Sequence, residues 1–416
     1  MENKNLDKAY NENAVKSILD TDLYKLSMSY AYFSLYPLAQ GVFEFHDRAK
    51  ESWEEYPEIV EQFKMEVAKL TNIRLTDEEK EYCIKNITYI PKTYWEWLTT
   101  FRFKSEYFKP WLDEDYVFHC SSGEPDLPLY EETFYEIATL VIYSRLRNKY
   151  KGWDEKFNMK KALARFEEKI EFANRNNIPF SEFGLRRRYS YELQEEIIKL
   201  IKEKSLTCTG TSNVHFAMKY NLKPQGTVAH EFIMFHSAVF GYKRANYLSL
   251  EAWKNVYRGD LGTALIDTFT TPSFLRTLTK QQALLLTGYR QDSGDEYAVG
   301  NAIIKRLKEF GIDPKSKLLV FSNALDFDKA NKIYEYFNGR IKVGFGIGTN
   351  ITCDPMIDGF KPTNVVMKLD TCRLSDKDPW EKCIKISDDI GKYMGDEKEF
   401  EIAIHELHLD KEATKN

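Results

Sequence analysis

The stretch KLLVFSNALDFDKANKIYEYFNGRIKVGFGIGTN, residues 317–350, decides the fold class. Its two apolar runs each end in polar or glycine-rich residues. Between them Ala330, Ile333, Tyr334 and Phe337 recur at the spacing of one helical face. Apolar strand, amphipathic helix, apolar strand is the pattern of a β-α-β unit.

The same rhythm extends over residues 205–370. Further runs are LKPQGTVAHE (222–231), LGTALIDTF (261–269), ALLLTGYRQDSGD (283–295) and TNVVMKLD (363–370), and Val299, Ile303, Leu307 and Phe310 mark another helical face. Apolar strands alternating with helices predict an α/β fold with a parallel sheet covered on both faces, either a barrel or a doubly wound sheet. In both, ligands bind beyond the carboxyl ends of the strands. The polar groups that follow the runs therefore share one rim: His230, Asp267, Arg290, Asp292, Ser322, Gly346, Gly348 and Thr349.

Upstream, DEKFNMKKALARFEEKIEFANRNN (154–177) and YELQEEIIKLIKEK (191–204) read as helices, separated by a loop, FSEFGLRRRYS (180–190), with three adjacent arginines. Residues 1–150 are aromatic-rich and irregular, although QGVFEFHDR (40–48) alternates as a half-buried strand does. Residues 381–416 read as a strand, a turn and a polar tail.

The chain has 416 residues, 43% hydrophobic and 30% charged, with a formal net charge of −5. This composition excludes a disordered chain, and the negative balance gives no general affinity for nucleic acid. No run approaches the roughly 18 apolar residues of a membrane span, and the first twenty residues lack the apolar core of a signal peptide. The reading is a cytoplasmic protein. Its cysteines, at 83, 120, 208, 353, 372 and 383, have no metal-type spacing and read as free thiols.

The rim motifs suggest chemistry. Glycines in FGIGTN (345–350) let backbone approach a phosphate and offer it amide N–H groups, and FSNAL offers a second such nest. A short glycine pattern alone is usually a turn, and LRRRY alone is usually a solvated loop. Arginines on the same rim as two nests shift that balance, because guanidinium forks suit phosphates. GTSN (210–213) reads as a helix N-cap, as does Asp295. Asp267 beside His230 can fix an imidazole tautomer and leave the other ring nitrogen free to attack. Arg290 suits a substrate carboxylate, and Asp292 a sugar diol.

Taken together, LDTDLYKLSM (19–28), FSEFGLRRRYS, GTSNVHFAMKYNLKPQGTVAHE (210–231), DTFTT (267–271), YRQDSGD (289–295), FGIGTN and IKISDDIGKYMGD (384–396) resemble, in order, the motifs of the nicotinate phosphoribosyltransferase family. That resemblance implies a type II phosphoribosyltransferase fold: an irregular α/β barrel (residues 141–370) plus an N-terminal α/β-sandwich domain (1–140, completed by 371–416). It implies formation of nicotinate mononucleotide and diphosphate from nicotinate and 5-phosphoribosyl 1-diphosphate (PRPP), with Mg²⁺ and coupled ATP hydrolysis, in NAD biosynthesis and salvage. His230 matches the family's phosphohistidine, with Asp267 as its expected partner. The resemblance further implies that Tyr24 and Phe183 sandwich the pyridine ring, that Arg290 and Thr227 contact nicotinate, that Gly348 and Thr349 hold phosphate, and that Arg48, Arg186 and Lys385 contact diphosphate. Tyr24 reaches a neighbouring subunit's site in relatives, which implies a homodimer with shared active sites.

Two rivals stand beside this reading. A nicotinamide-specific relative carries an aspartate where this chain has Ser212, and a neutral Ser212 favours the acid over the amide. A non-catalytic nucleotide-binding scaffold would not need His230, Asp267, Arg290 and Asp292 together.

Overall fold

Alternation builds the first strand. In β1 (Gln40–Asp47) Gly41, Phe43 and Phe45 are buried while their neighbours face outward, as the two-residue period of a pleated strand requires. The computed structural model describes residues 13–409 apart from 124–126, 154, 355–359 and 390–391. The polar tail expected beyond 409 lies outside the described residues.

β1 is the centre of a five-stranded antiparallel sheet with β2 (Phe108–Leu112), β3 (Phe118–Ser122), β11 (Val365–Arg373) and β12 (Glu381–Lys382), in the order β12-β11-β1-β3-β2. Its pairing with β11 runs from Gln40 opposite Arg373 to Asp47 opposite Val365. The run TNVVMKLD therefore does not continue the β/α rhythm; it crosses into this other sheet.

The second sheet has six parallel strands, β4 (Phe180–Glu182), β5 (Cys208–Thr211), β7 (Thr263–Leu265), β8 (Gly288–Gln291), β9 (Leu318–Phe321) and β10 (Lys342–Ile347), ordered β5-β4-β10-β9-β8-β7. A short β6 (Arg258–Leu261) precedes β7. The edges β5 and β7 are not paired with each other among the described residues, so the α/β barrel is irregular. The helices expected upstream form at Glu155–Arg175 and Tyr191–Lys204.

Three expectations fail for identifiable reasons. FSEF, read as loop, supplies β4, an inner strand; three residues with a glutamate leave no apolar run to recognise. LKPQGTVAHE, read as a strand, is an extended segment that ends where a helix starts at His230. Pro224 has no N–H to give a ladder, and Gly226 sits at φ +150°, where a Cβ would lie 3.1 Å from the Tyr24 backbone nitrogen. That glycine lets the segment lie against the chain at Tyr24. The C-terminal region also forms a helix, Glu397–Glu406, capped by Asp396.

The helices that shape the site are α1 (Leu23–Leu35), α2 (Leu129–Tyr150), α3 (His230–Phe240), α4 (Tyr242–Tyr257) and the single turn α5 (Thr349–Thr352). Apolar residues of α3 and α4, including Phe232, Phe235 and Trp253, join the core of the antiparallel sheet, while the strands β8, β9 and β10 pack in a second core. The site lies where the two cores meet. No helix among the described residues is long and apolar enough to cross a membrane.

Candidate active site

A cavity of about 580 Å³ opens at the carboxyl ends of the parallel strands. β8 presents Arg290 and then Asp292, β9 leads to Ser322, and β10 leads through Gly346 to Gly348 and Thr349. The opposite wall is the antiparallel sheet: Arg48 after β1, Val366 and Lys368 on β11, and Lys385 beyond β12.

His230 is the first residue of α3, its side chain 18% exposed. Nδ1 lies 2.9 Å from the Thr268 hydroxyl, on the buried side. Nε2 lies 3.0 Å from Lys385 Nζ and 3.2 Å from Asp292 Oδ2, both of which line the cavity. Burial, and then the Lys385 charge, push the imidazole below its ordinary value, so the ring is neutral near pH 7. A neutral ring that donates from Nδ1 to Thr268 presents the Nε2 lone pair to the cavity.

The expected partner, Asp267, makes neither hydrogen bond to His230. Its Oδ2 accepts from Ser293, and Oδ1 has no partner among the described residues. The carboxylate at the imidazole is Asp292. Burial alone would raise Asp292, yet Arg290, His230 and Lys385 hold it well below the usual carboxylate range. Its Oδ1 accepts from Ser322 at 2.8 Å and Arg290 at 3.3 Å. Arg290 also donates to Ser322 at 2.9 Å, so its guanidinium is braced at the cavity wall. These contacts leave the Asp292 side chain 25% exposed at the cavity wall.

The cavity crowds cations. Burial, then Arg48 and Lys385, depress Lys368 to about 6, and burial, then Arg186 and Arg48, lower Arg187 to about 10. Arg48 and Lys385 are lowered as well, each chiefly by burial. Cations that discourage one another's protonation form a site that a multiply charged anion relieves.

Two aromatic rings belong to the wall. Tyr24 of α1 and Phe183 after β4 both line the cavity, and the Arg186 guanidinium sits 5.7 Å from the Tyr24 ring centre. Gly346 makes room for Phe183, since a Cβ there would lie 2.6 Å from the ring. Next to Tyr24, the fully buried Lys25 bonds both Glu136 of α2 and Glu231 of α3. This ties the helix bearing Tyr24 to the helix that begins at His230. Burial pushes Glu231 up to about 8 despite Lys25.

Of the sequence-derived candidates, Tyr24, Arg48, Phe183, Arg186, His230, Arg290, Asp292, Gly348, Thr349 and Lys385 line this one cavity. Ser212, Thr227 and Asp267 do not. Ser212 is buried and donates to Asp22 at 2.5 Å, and the Thr227 carbonyl accepts from Ser27 at 2.6 Å. Tyr24 lines the cavity of its own chain, where Leu23 N–H donates to the Ser212 carbonyl at 2.8 Å and pins the start of α1 to the parallel sheet. Sequence reasoning missed Lys368 and Lys392, while Arg187 belongs to the arginine run it weighed as an anion site. Lys392 donates to Asn323 at 2.7 Å on the same rim.

One ligand atom from each of His230, Asp267 and Asp292 lies within 4.8 Å of the others. The unpartnered buried Asp267 oxygen gives this cluster the hard-oxygen character that suits Mg²⁺.

Comparisons with known proteins agree with this geometry. The nicotinate phosphoribosyltransferase (NAPRTase) family model matches residues 178–412, and the model of its N-terminal domain matches 19–144. The chain is 37% identical over 394 residues to the nicotinate phosphoribosyltransferase of Desulforapulum autotrophicum, covering 92% of this chain and 97% of that one. The crystal structure of nicotinate phosphoribosyltransferase from Porphyromonas gingivalis superimposes with a TM-score of 0.91 at 38% identity, covering 95% of this chain and all of that one. That from Vibrio cholerae gives 0.85 at 29% identity, covering 95% and 94%. In sequence over most of its length and in the arrangement of both its sheets, the chain belongs to the nicotinate phosphoribosyltransferase family.

Proposed function

We propose that the chain condenses nicotinate with PRPP to give nicotinate mononucleotide and diphosphate in NAD biosynthesis and salvage in the cytoplasm, with ATP hydrolysis coupled through a phosphohistidine at His230. The observation that carries this is a neutral imidazole whose Nε2 faces a cation-lined cavity. In the phosphorylation step the Nε2 lone pair attacks the γ-phosphorus of ATP, the bond from phosphorus to the bridging oxygen breaks, and ADP leaves. The proton stays on Nδ1, donated to the Thr268 hydroxyl, and Lys385 moves from the imidazole to the phosphoryl oxygens.

For synthesis, Tyr24 and Phe183 hold the pyridine ring and Arg290 its carboxylate. The pyridine nitrogen already carries a lone pair and needs no base. It attacks C1 of the ribose as the bond to diphosphate breaks, with Arg48, Arg186, Lys368 and Lys385 taking up the charge that leaves. Gly348 and Thr349, at the start of α5, hold the 5-phosphate. Mg²⁺, which Asp292 and the free oxygen of Asp267 would hold, supplies neutralisation of phosphate charge. The homodimer belongs to this proposal as an assembly, although Tyr24, His230 and the cations all come from one chain.

The test is γ-labelled ATP. Wild type should acquire an acid-labile, base-stable label, and His230→Asn should not, losing ATPase activity and ATP stimulation while keeping a slow ATP-independent synthesis. Label retained in His230→Asn would refute the assignment. Comparing nicotinate with nicotinamide, with and without ATP, separates this reading from the amide-specific one.

A further inference from the structure

The residues that follow Tyr24 and His230 in the chain meet each other. Lys25 follows Tyr24 on α1 and Glu231 follows His230 on α3, and the fully buried Lys25 ammonium donates to both Glu231 and Glu136 of α2. Two further contacts join α1 to the segment that leads into His230. Ser27 Oγ donates to the Thr227 carbonyl at 2.6 Å, and Ala229 N–H donates to Met28 Sδ at 3.4 Å. Both stop short of the imidazole; the Lys25 bond reaches past it into α3.

The network touches the cavity at its other end as well. Glu136 Oε1 lies 4.0 Å from Arg186 Nη1, and the Arg186 guanidinium lies 5.7 Å from the Tyr24 ring centre. Arg186, Glu136 and Glu231 line the cavity, whereas Lys25 sits behind it, 5.3 Å from the Phe43 ring centre. A continuous line, Arg186 to Glu136 to Lys25 to Glu231, thus runs from beside the Tyr24 ring to the residue after His230.

Stability alone does not account for this line. Taking an ammonium and two carboxyl groups out of water costs about what their attraction returns unless every group is satisfied, and apolar side chains of similar volume often join helices as firmly. Here Glu231 Oε1 has no partner among the described residues. What hydrogen bonds add to packing is direction, because their length and angle are narrow. Three helices that meet at one ammonium are fixed in register with one another.

We propose that Lys25 and Glu231 are positioning residues that hold Tyr24 and His230 as one rigid unit, so that consumption of ATP is tied to nicotinate held in the cavity. This rests on the function proposed above. With the link intact, the ring that stacks on nicotinate and the imidazole that takes the phosphoryl group keep a fixed separation. With the link cut, α3 shifts independently of α1, and His230 is phosphorylated and hydrolysed without nicotinate in place.

The test compares two variants at one position. Glu231→Leu cuts the link and leaves Lys25 paired with Glu136. Burial raises Glu231 to about 8, so Glu231→Gln resembles the protonated acid and still accepts from Lys25. Steady-state assays on the full chain give nicotinate KM and the number of ATP hydrolysed per nucleotide formed. A misfolded fraction lowers kcat alone, whereas displacement of the folded site changes the other two. Glu231→Leu should raise nicotinate KM about tenfold and the ATP ratio about twofold or more, and Glu231→Gln should stay within about twofold of wild type in both. A wild-type KM and ratio in Glu231→Leu, whatever its kcat, would overturn the proposal, as would a Glu231→Gln enzyme equally impaired. Should Glu231→Leu not fold, Lys25→Met combined with Glu136→Gln and Glu231→Gln removes the link without stranding a charge, and wild-type values there would overturn it equally. A wild type without ATP stimulation would refute the coupled reaction itself, and nicotinate KM in Glu231→Leu would still decide whether the link positions Tyr24.

Discussion

Thr268→Val tests how the imidazole is held. Valine keeps the shape and removes the hydroxyl that lies 2.9 Å from Nδ1 on the buried side of the ring. The tautomer with its proton on Nδ1 then has a buried, unsatisfied donor, at a cost of about 1–3 kcal/mol. The alternative tautomer, with its proton on Nε2, still finds Asp292 Oδ2 at 3.2 Å. The equilibrium shifts toward a ring whose cavity-facing nitrogen has no lone pair to attack. At about 1.4 kcal/mol per tenfold, phosphoenzyme formation should slow by roughly 5- to 150-fold. The assay is single-turnover labelling from γ-labelled ATP by rapid quench, with a thermal melt to establish folding and nitrogen-15 shifts of His230 to report the tautomer. Thr268→Ser, which keeps the hydroxyl, should stay within about threefold of wild type. A Thr268→Val enzyme that phosphorylates at the wild-type rate would refute the reasoning, and so would a Thr268→Ser enzyme equally slow.

Arg290→Ala removes a braced guanidinium whose charge-assisted bond to a carboxylate is worth about 1.5–3 kcal/mol. Nicotinate KM should rise by one to two orders of magnitude while nicotinamide changes far less; equal losses in steady-state assays would make Arg290 structural. Gly346→Ala places a Cβ 2.6 Å from the Phe183 ring, about 1 Å inside ordinary contact. It should raise nicotinate KM about tenfold with PRPP KM unchanged, and an unchanged nicotinate KM would mean that Phe183 does not hold the ring. Lys368, depressed to about 6, is neutral in the empty cavity above that pH. Diphosphate favours its charged form, so binding takes up a proton and affinity falls as pH rises above about 6, by at most about tenfold per pH unit. Calorimetry at pH 7.5 in buffers of different ionisation enthalpy should show that uptake in wild type and less in Lys368→Met; equal uptake in both would assign the proton elsewhere.

What the sequence made legible follows the strength of its periodicities. β1, the helices at 155–175 and 191–204, and the unit from β9 to β10 carry patterns long enough to read. β4 is three residues and carries none, although it is an inner strand. Whether LKPQGTVAHE is strand or helix start is decided by Pro224, by Gly226 and by contact with Tyr24, and the last is two hundred residues distant. Ordered motifs pointed to His230, Arg290, Asp292, Tyr24 and Phe183, but not to which groups touch. A carboxylate near an imidazole was foreseen; that it is Asp292 rather than Asp267 depends on the turn after β8. Lys368 was hidden for a different reason. Alternating with buried Met367 and Leu369 on β11, it looks like a solvent-facing strand residue, and only the tertiary fold turns that face onto the cavity.

The pairing of β1 with β11 governs how the molecule can be made. Gln40 must find Arg373, which is synthesised more than three hundred residues later. At about 5–20 residues per second, one edge of β1 stays open for tens of seconds on the ribosome, a strand edge able to pair with another chain. Loop closure on that scale also slows refolding. Arg48 lies at the end of β1 and Lys368 on β11, so the nascent chain has no finished anion site until its last quarter has emerged and crossed back. A chain that stops before residue 365 would carry the parallel sheet and His230, yet remain an aggregation-prone fragment without Lys368, Lys385 and Lys392.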